Sequence, residues 1–161
     1  MKSALLLAVI FPLIADAAPS PAAEAITMTE SSWGHQILRW RIEPDGSISY
    51  MIRTQGREPG VLGPWQERRS PPSRERYRWV ANLLAPARAR AGQNMSCANP
   101  MTDQAAGTVG WGKMTKLGYY AGCYEPETRS IVALLFKARK QLDTWTGNAP
   151  VTIVPEDEPA R

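Results

Sequence analysis

The most constraining feature of the sequence is a four-residue turn, Glu43-Pro44-Asp45-Gly46, between two segments that alternate apolar and polar residues. Proline at the second position of a type I turn, followed by a glycine that can adopt a left-handed conformation, favours a three-residue hairpin loop. This turn sets which residues of the two strands face each other. The predicted pairs on one face are Ile42 with Ile48, Trp40 with Tyr50, and Leu38 with Ile52. Because every pair is apolar or aromatic, we expect this face to be buried.

The opposite face of the predicted hairpin carries three arginines, Arg39, Arg41 and Arg53. Antiparallel sheets commonly have one solvated face, which accounts for these arginines without any function. The alternative is a cationic surface for an anionic partner. In that interpretation the three arginines are the first candidate binding residues.

Two helices and a second hairpin are predicted after the first hairpin. Apolar residues recur at helical spacing in "RERYRWVANLL" and again over residues 126–145, where they form one helix face. The segments "GTVGW" and "TKLGYY" predict a second hairpin that is weakened by its glycines. Residues 54–65 are rich in Gly and Pro, which predicts a loop with room for one short edge strand.

These elements predict an α+β fold. An antiparallel sheet of four to five strands, built from two hairpins, would have two helices packed on one face as a two-layer sandwich. We assign residues 33–147 to a single domain, since a chain of 161 residues does not require more than one. Residues 148–161 are predicted to be a tail, with an optional edge strand at "PVTIVP" and disorder after it.

The first 17 residues have the composition of a secretory signal peptide. Lys2 precedes an apolar run from Ala4 to Ile14, and small residues follow at positions 15 and 17. We therefore predict cleavage near Ala17 and a periplasmic or secreted protein. The apolar run is shorter than the roughly 20 residues of a membrane-spanning helix, and no later segment is longer, so no transmembrane segment is predicted in the mature chain. Residues 18–32 are predicted to be a flexible leader.

The chain contains two cysteines, Cys97 and Cys123, and one histidine, His35. In an exported protein an isolated cysteine pair is expected to form a disulfide. A catalytic Cys97 would need His35 as its base, and no cysteine-protease signature surrounds it. The single histidine excludes a multi-histidine zinc site, and no metal or cofactor motif is present, so we expect neither a metal nor a cofactor.

The carboxylate of Asp103 supports an alternative, enzymatic interpretation. Paired with Glu125 or with His35, it would make the protein a small hydrolase. A turn formed by Thr102 and Asp103, and a helix start at Glu125, account for the same residues without catalysis.

Basic residues are concentrated between positions 57 and 90, where eight arginines face three glutamates. Within this segment Arg74, Arg76 and Arg78 form the second candidate binding group. Arginines beside aromatic residues are typical of nucleic-acid binding, but the predicted export and the modest net charge of +4 argue against a nucleic-acid partner. A solvated helix face, or attraction to an anionic envelope component, is the better interpretation.

Three segments carry a family resemblance: "RIEPDGSISYMI", "CANPMTDQAAGTVGW" and "YYAGC" before the closing helix. Together they resemble a group of small uncharacterised exported bacterial proteins that share a hairpin-helix-hairpin-helix domain of unknown function. The resemblance covers about residues 33–147 and implies no catalytic residue.

The sequence as a whole predicts a protein that is not an enzyme. We expect a monomeric binding module for an envelope component or another protein, which includes an inhibitor of a secreted hydrolase. The small hydrolase and a purely structural envelope protein are the alternatives.

Overall fold

The computed structural model of the chain describes residues 23–56, 61–93, 95 and 97–155. The predicted signal peptide, the first five residues of the predicted leader, and residues 156–161 of the predicted tail lie outside the described residues. Within them the elements are β1 (Ile26–Ser32), β2 (His35–Ile42), β3 (Ile48–Gln55), β4 (Leu62–Ser70), α1 (Arg74–Leu83), α2 (Ala85–Arg88), β5 (Ala106–Trp111), β6 (Thr115–Tyr120), α3 (Pro126–Thr146) and β7 (Val151–Val154).

The seven strands form one antiparallel sheet in the order β6-β5-β1-β2-β3-β4-β7. Strand β1 lies near its centre and pairs with β2 on one side and β5 on the other. The two predicted hairpins, β2–β3 and β5–β6, are therefore not neighbours. They are joined in the sheet only through β1.

The predicted register of the first hairpin is confirmed. Leu38 pairs with Ile52, Trp40 with Tyr50, and Ile42 with Ile48. The turn is closed by a hydrogen bond of 3.0 Å from the Glu43 amide to the Ser47 carbonyl, and Gly46 has a φ of +85°. A Cβ at Gly46 would lie 1.8 Å from the carbonyl oxygen of Ser73, so this glycine also lets the turn pack against the start of α1.

The predicted sheet of four to five strands with two helices is wrong, because the described residues form seven strands and three helices. Strand β1 lies inside the predicted leader, β4 begins within the predicted loop, and β7 completes the sheet at one edge. The third helix, α2, arises because the helical segment after Ser73 breaks at Leu84, before Pro86.

One face of the sheet and the helices enclose the hydrophobic core. Met28, Trp40 and Tyr50 from the sheet pack with Val80 of α1 and Leu135 of α3. Burial of these apolar side chains is the main force that holds the helices on the sheet. The other face carries the alternate residues of the same strands, and no described helix covers it.

A buried polar cluster links β1 to α3 within the core. The carboxylate of Glu30 is 2% exposed and accepts hydrogen bonds from Nη1 of Arg139 at 2.6 Å and from the hydroxyl of Tyr119 at 3.2 Å. Gly107 on β5 makes room for this cluster, because a Cβ there would lie 2.5 Å from the Tyr119 hydroxyl oxygen. A buried carboxylate requires such partners, since an unpaired one would be strongly disfavoured.

Candidate functional site

The candidate site is the uncovered face of the sheet, which we call the open face. It is formed by Thr27 and Thr29 of β1, Arg39 and Arg41 of β2, Ser49, Met51 and Arg53 of β3, Trp65, Glu67 and Arg69 of β4, and Val154 of β7. Most of these residues line a concave surface with a volume of about 420 Å³, together with Glu43 and Ser47 at its rim.

Strand register explains why these side chains lie together. Paired residues in an antiparallel sheet point to the same face, and each strand alternates between its two faces. Arg39 is opposite Met51, which is opposite Glu67. By the same rule Arg53 lies beside Trp65. The predicted candidates Arg39, Arg41 and Arg53 therefore share one face, as the hairpin pattern indicated.

Two of these arginines cover Trp65. The guanidinium carbons of Arg39 and Arg53 lie 4.7 Å and 5.4 Å from the centre of its ring, and the tryptophan is only 5% exposed. Stacking of guanidinium groups on an aromatic ring combines cation–π attraction with burial of apolar area. Nε of Arg39 also donates to the sulfur of Met51 at 3.0 Å. Both guanidinium groups are thus held in place on the open face.

Glu67 is the buried anion of the open face. It is 8% exposed, and its Oε1 accepts a hydrogen bond of 2.6 Å from the Ser49 hydroxyl and lies 2.9 Å from Nε of Arg69. Partial burial lowers the pKa of Arg39, while the negative charge of Glu67 opposes this effect. An arginine remains charged at neutral pH under such a shift.

Among the residues that the structure describes, the open face and its rim carry four arginines and two glutamates, a formal charge of +2. The glutamates are Glu67 and the rim residue Glu43, which forms an ion pair with Arg41. Because the surface is concave and carries more positive than negative charge, it favours the approach of an anionic ligand.

The second predicted arginine group is not part of this surface, since it lies on α1. Arg76 donates to the Ser70 hydroxyl and lies over the ring of Trp145 at 5.7 Å, so it stabilises the packing of α1. Arg74 and Arg78 are exposed. The two groups of three arginines are thus separate, and only the first is combined with buried aromatic and acidic side chains.

The residues of the predicted hydrolase site make different contacts. Glu125 accepts a hydrogen bond from the Ala98 amide, and backbone hydrogen bonds of this kind lower the pKa of its carboxyl group. Asp103 lies in the predicted turn with a φ of 65°, and its carboxylate makes no hydrogen bond within the described ranges. His35 is exposed at the start of β2. No side-chain hydrogen bond or ion pair joins these three residues in the described part of the chain.

The predicted disulfide between Cys97 and Cys123 is confirmed, with a Cα–Cα distance of 5.1 Å. It closes the segment that contains the second hairpin. Because each sulfur is bonded to the other, Cys97 has no thiol that could act as a nucleophile. For the same reason, the carboxylate of Glu125 beside the bridge has no thiolate neighbour with which to bind a metal.

None of the described helices combines the length and the apolar composition that crossing a membrane requires.

Comparison of the chain with protein-family models, with curated proteins and with solved structures finds no match.

Sequence reasoning missed the β4 half of the open face. Trp65 is the last residue of the Gly- and Pro-rich segment 54–65 that is predicted to be a loop, and Glu67 and Arg69 follow directly after it. The pattern that identifies them is their spacing of two residues, which places all three on one face of a strand.

Proposed function

We propose that this protein is an exported, monomeric, non-enzymatic binding module, and that its open face binds an anionic region of an envelope component or of another protein. The observation that carries the proposal is the arrangement of Arg39 and Arg53 over the ring of Trp65, on a face that no described helix covers. Arg39 also lines the concave surface of this face, together with Arg41.

An arginine side chain that is already held in one conformation binds a ligand at a lower entropic cost than a mobile one. A long side chain that is free in solution loses rotamer entropy when it binds a ligand, at a cost of roughly 0.5–1.5 kcal/mol. Stacking on Trp65 and the contact with Met51 impose much of this order before a ligand arrives. The open face is thus preorganised for an anion.

The disulfide supports export. Disulfides form and persist in oxidising compartments and are rare in reducing ones. The Cys97–Cys123 bridge is therefore consistent with a chain that is cleaved near Ala17 and works in the periplasm or outside the cell.

Charge removal on the open face tests the proposal. The triple variant R39Q/R41Q/R53Q removes three charges, and its planar amide at position 39 still covers Trp65 in part. The control R74Q/R78Q/R129Q removes three charges from exposed helical residues. Both are compared with the unmodified protein in affinity capture from periplasm and envelope extracts, followed by mass spectrometry.

We expect the control to capture the same partners as the unmodified protein, and the open-face variant to lose them while keeping its circular dichroism spectrum. If the open-face variant captures the same partners at the same level, the assignment of this site is wrong.

A further inference from the structure

Building on the proposed function, we infer that the partner of the open face is an acidic polypeptide segment bound in an extended conformation, with carboxylates at alternate positions that pair with Arg39 and Arg41.

The open face already binds a carboxylate of its own. Glu67 is held by the guanidinium of Arg69 and the hydroxyl of Ser49, at 2.9 Å and 2.6 Å. Arginine presents two parallel N–H donors that match the two oxygens of a carboxylate. Arg39 and Arg41 lie on the neighbouring part of the same face. Nε of Arg39 donates to Met51 and Nε of Arg41 pairs with the rim residue Glu43, so a peptide carboxylate would be bound by the terminal Nη groups of these arginines.

The spacing of the arginines matches an extended chain. Arg39 and Arg41 are two residues apart on β2 and point to the same face, so their backbone positions are separated by about 7 Å. Side chains at alternate positions of an extended peptide repeat at the same distance, about 7 Å. The guanidinium of Arg39 leans across β3 toward Trp65 of β4. An extended peptide that lies over β2 and β3 can therefore place one carboxylate at each arginine.

The burial of the Trp65 ring argues against nucleic acids and sugars as partners. Single-stranded nucleic acids are bound by stacking their bases on exposed aromatic rings, and a ring face would serve a sugar in the same way. On the open face the ring of Trp65 is 5% exposed and is covered by two guanidinium groups. Among the described residues the open face offers charge and hydrogen-bond donors, but no free aromatic surface.

Two peptides of equal composition test this inference by fluorescence anisotropy with the mature protein. One has alternating carboxylates, Ser-Glu-Ser-Glu-Ser-Glu-Ser, and the other has them adjacent, Ser-Ser-Glu-Glu-Glu-Ser-Ser. We expect the alternating peptide to bind at least about tenfold more tightly, which corresponds to about 1.4 kcal/mol. The variant R39Q/R41Q should lose this preference, and the control R74Q/R78Q should retain it.

A sulfated oligosaccharide and a single-stranded oligonucleotide serve as further probes. If either binds through Arg39 and Arg41 while both peptides fail, the inference of a peptide partner is overturned and the proposed anion-binding function stands. Equal affinity for the two peptides overturns the extended geometry. If no probe binds and R39Q/R41Q/R53Q still captures every partner from extracts, the proposed function itself fails.

Discussion

Replacing Glu30 with alanine should lower the free energy of unfolding by about 3 kcal/mol, because it removes one partner of a buried ion pair and leaves the other without its counter-charge. The substitution leaves the Arg139 guanidinium without its carboxylate and the Tyr119 hydroxyl without its acceptor. Loss of one partner from a buried pair typically costs ~3–5 kcal/mol. We expect the lower end of this range, because the side chain of Arg139 is 31% exposed and can regain some contact with water.

Two further variants separate the charge from the hydrogen bonds. Glu30→Gln keeps the volume of the side chain and an acceptor for Tyr119, so we expect a smaller loss of ~1–2 kcal/mol. The double variant E30L/R139L removes both charges and fills the site with apolar atoms. It should be more stable than Glu30→Ala, since replacing both partners of a buried pair is often neutral or stabilising.

Urea denaturation followed by tryptophan fluorescence measures these differences, because the midpoint shifts at constant slope when only stability changes. A cost below about 1 kcal/mol for Glu30→Ala would show that the cluster does not hold β1 to α3. A double variant less stable than Glu30→Ala would refute the same reasoning.

Three other outcomes follow from the structure. The double variant C97S/C123S should be ~3.5 kcal/mol less stable in urea denaturation than the disulfide-bonded protein, since the bridge closes a loop with a sequence separation of 26; a thiol titration of the native protein should find no free cysteine. Burial, reinforced by the negative charge of Glu30, raises the pKa of the Tyr119 hydroxyl. Above about pH 10 the unfolded chain loses this proton before the folded protein does, so the free energy of unfolding should fall as the pH rises further. Tyr119→Phe should reduce this fall, which urea denaturation at several pH values below and above this point would measure. Gly46→Ala should cost at least ~2 kcal/mol, because it combines a left-handed φ with a clash against the Ser73 backbone; a midpoint equal to that of the unmodified protein would contradict the described packing of the turn.

Local patterns predicted the parts of the fold that depend on neighbours in sequence. The turn at Glu43–Gly46 determined the pairing of β2 with β3 residue by residue. The helical spacing of apolar residues over 126–145 predicted α3, which the structure has at Pro126–Thr146. In the hairpin every core-facing pair is apolar or aromatic, and in α3 most core-facing positions are, with exceptions such as Thr128 and Arg139, so periodicity alone was sufficient.

Strands β1 and β4 could not be found in the same way, because polar residues occupy some of their core-facing positions. In β1 the third inward residue is Glu30, whose partner Arg139 is 109 residues later in the chain. In β4 the positions facing the helices include Gln66 and Arg68, and Arg68 lies 5.0 Å from the ring of Tyr50. Such polar residues can occupy a buried strand only when residues far away in the sequence supply their partners. A local sequence pattern does not reveal those partners.

For the same reason, only half of the candidate site could be predicted from the sequence. The arginines of the first hairpin were placed on one face by its register. The tryptophan on which Arg39 and Arg53 stack belongs to β4, and its contribution depends on a strand pairing that the sequence did not indicate.

The position of β1 between the two hairpins has a consequence for synthesis of the chain. Its partner β2 follows it immediately, whereas its other partner, β5, begins only at Ala106. Until β5 has been synthesised, a paired β1 exposes a row of free backbone donors and acceptors, which is a template for pairing with another chain. A nascent chain in which β1 and β2 have paired therefore carries an unprotected strand edge until β5 has been made.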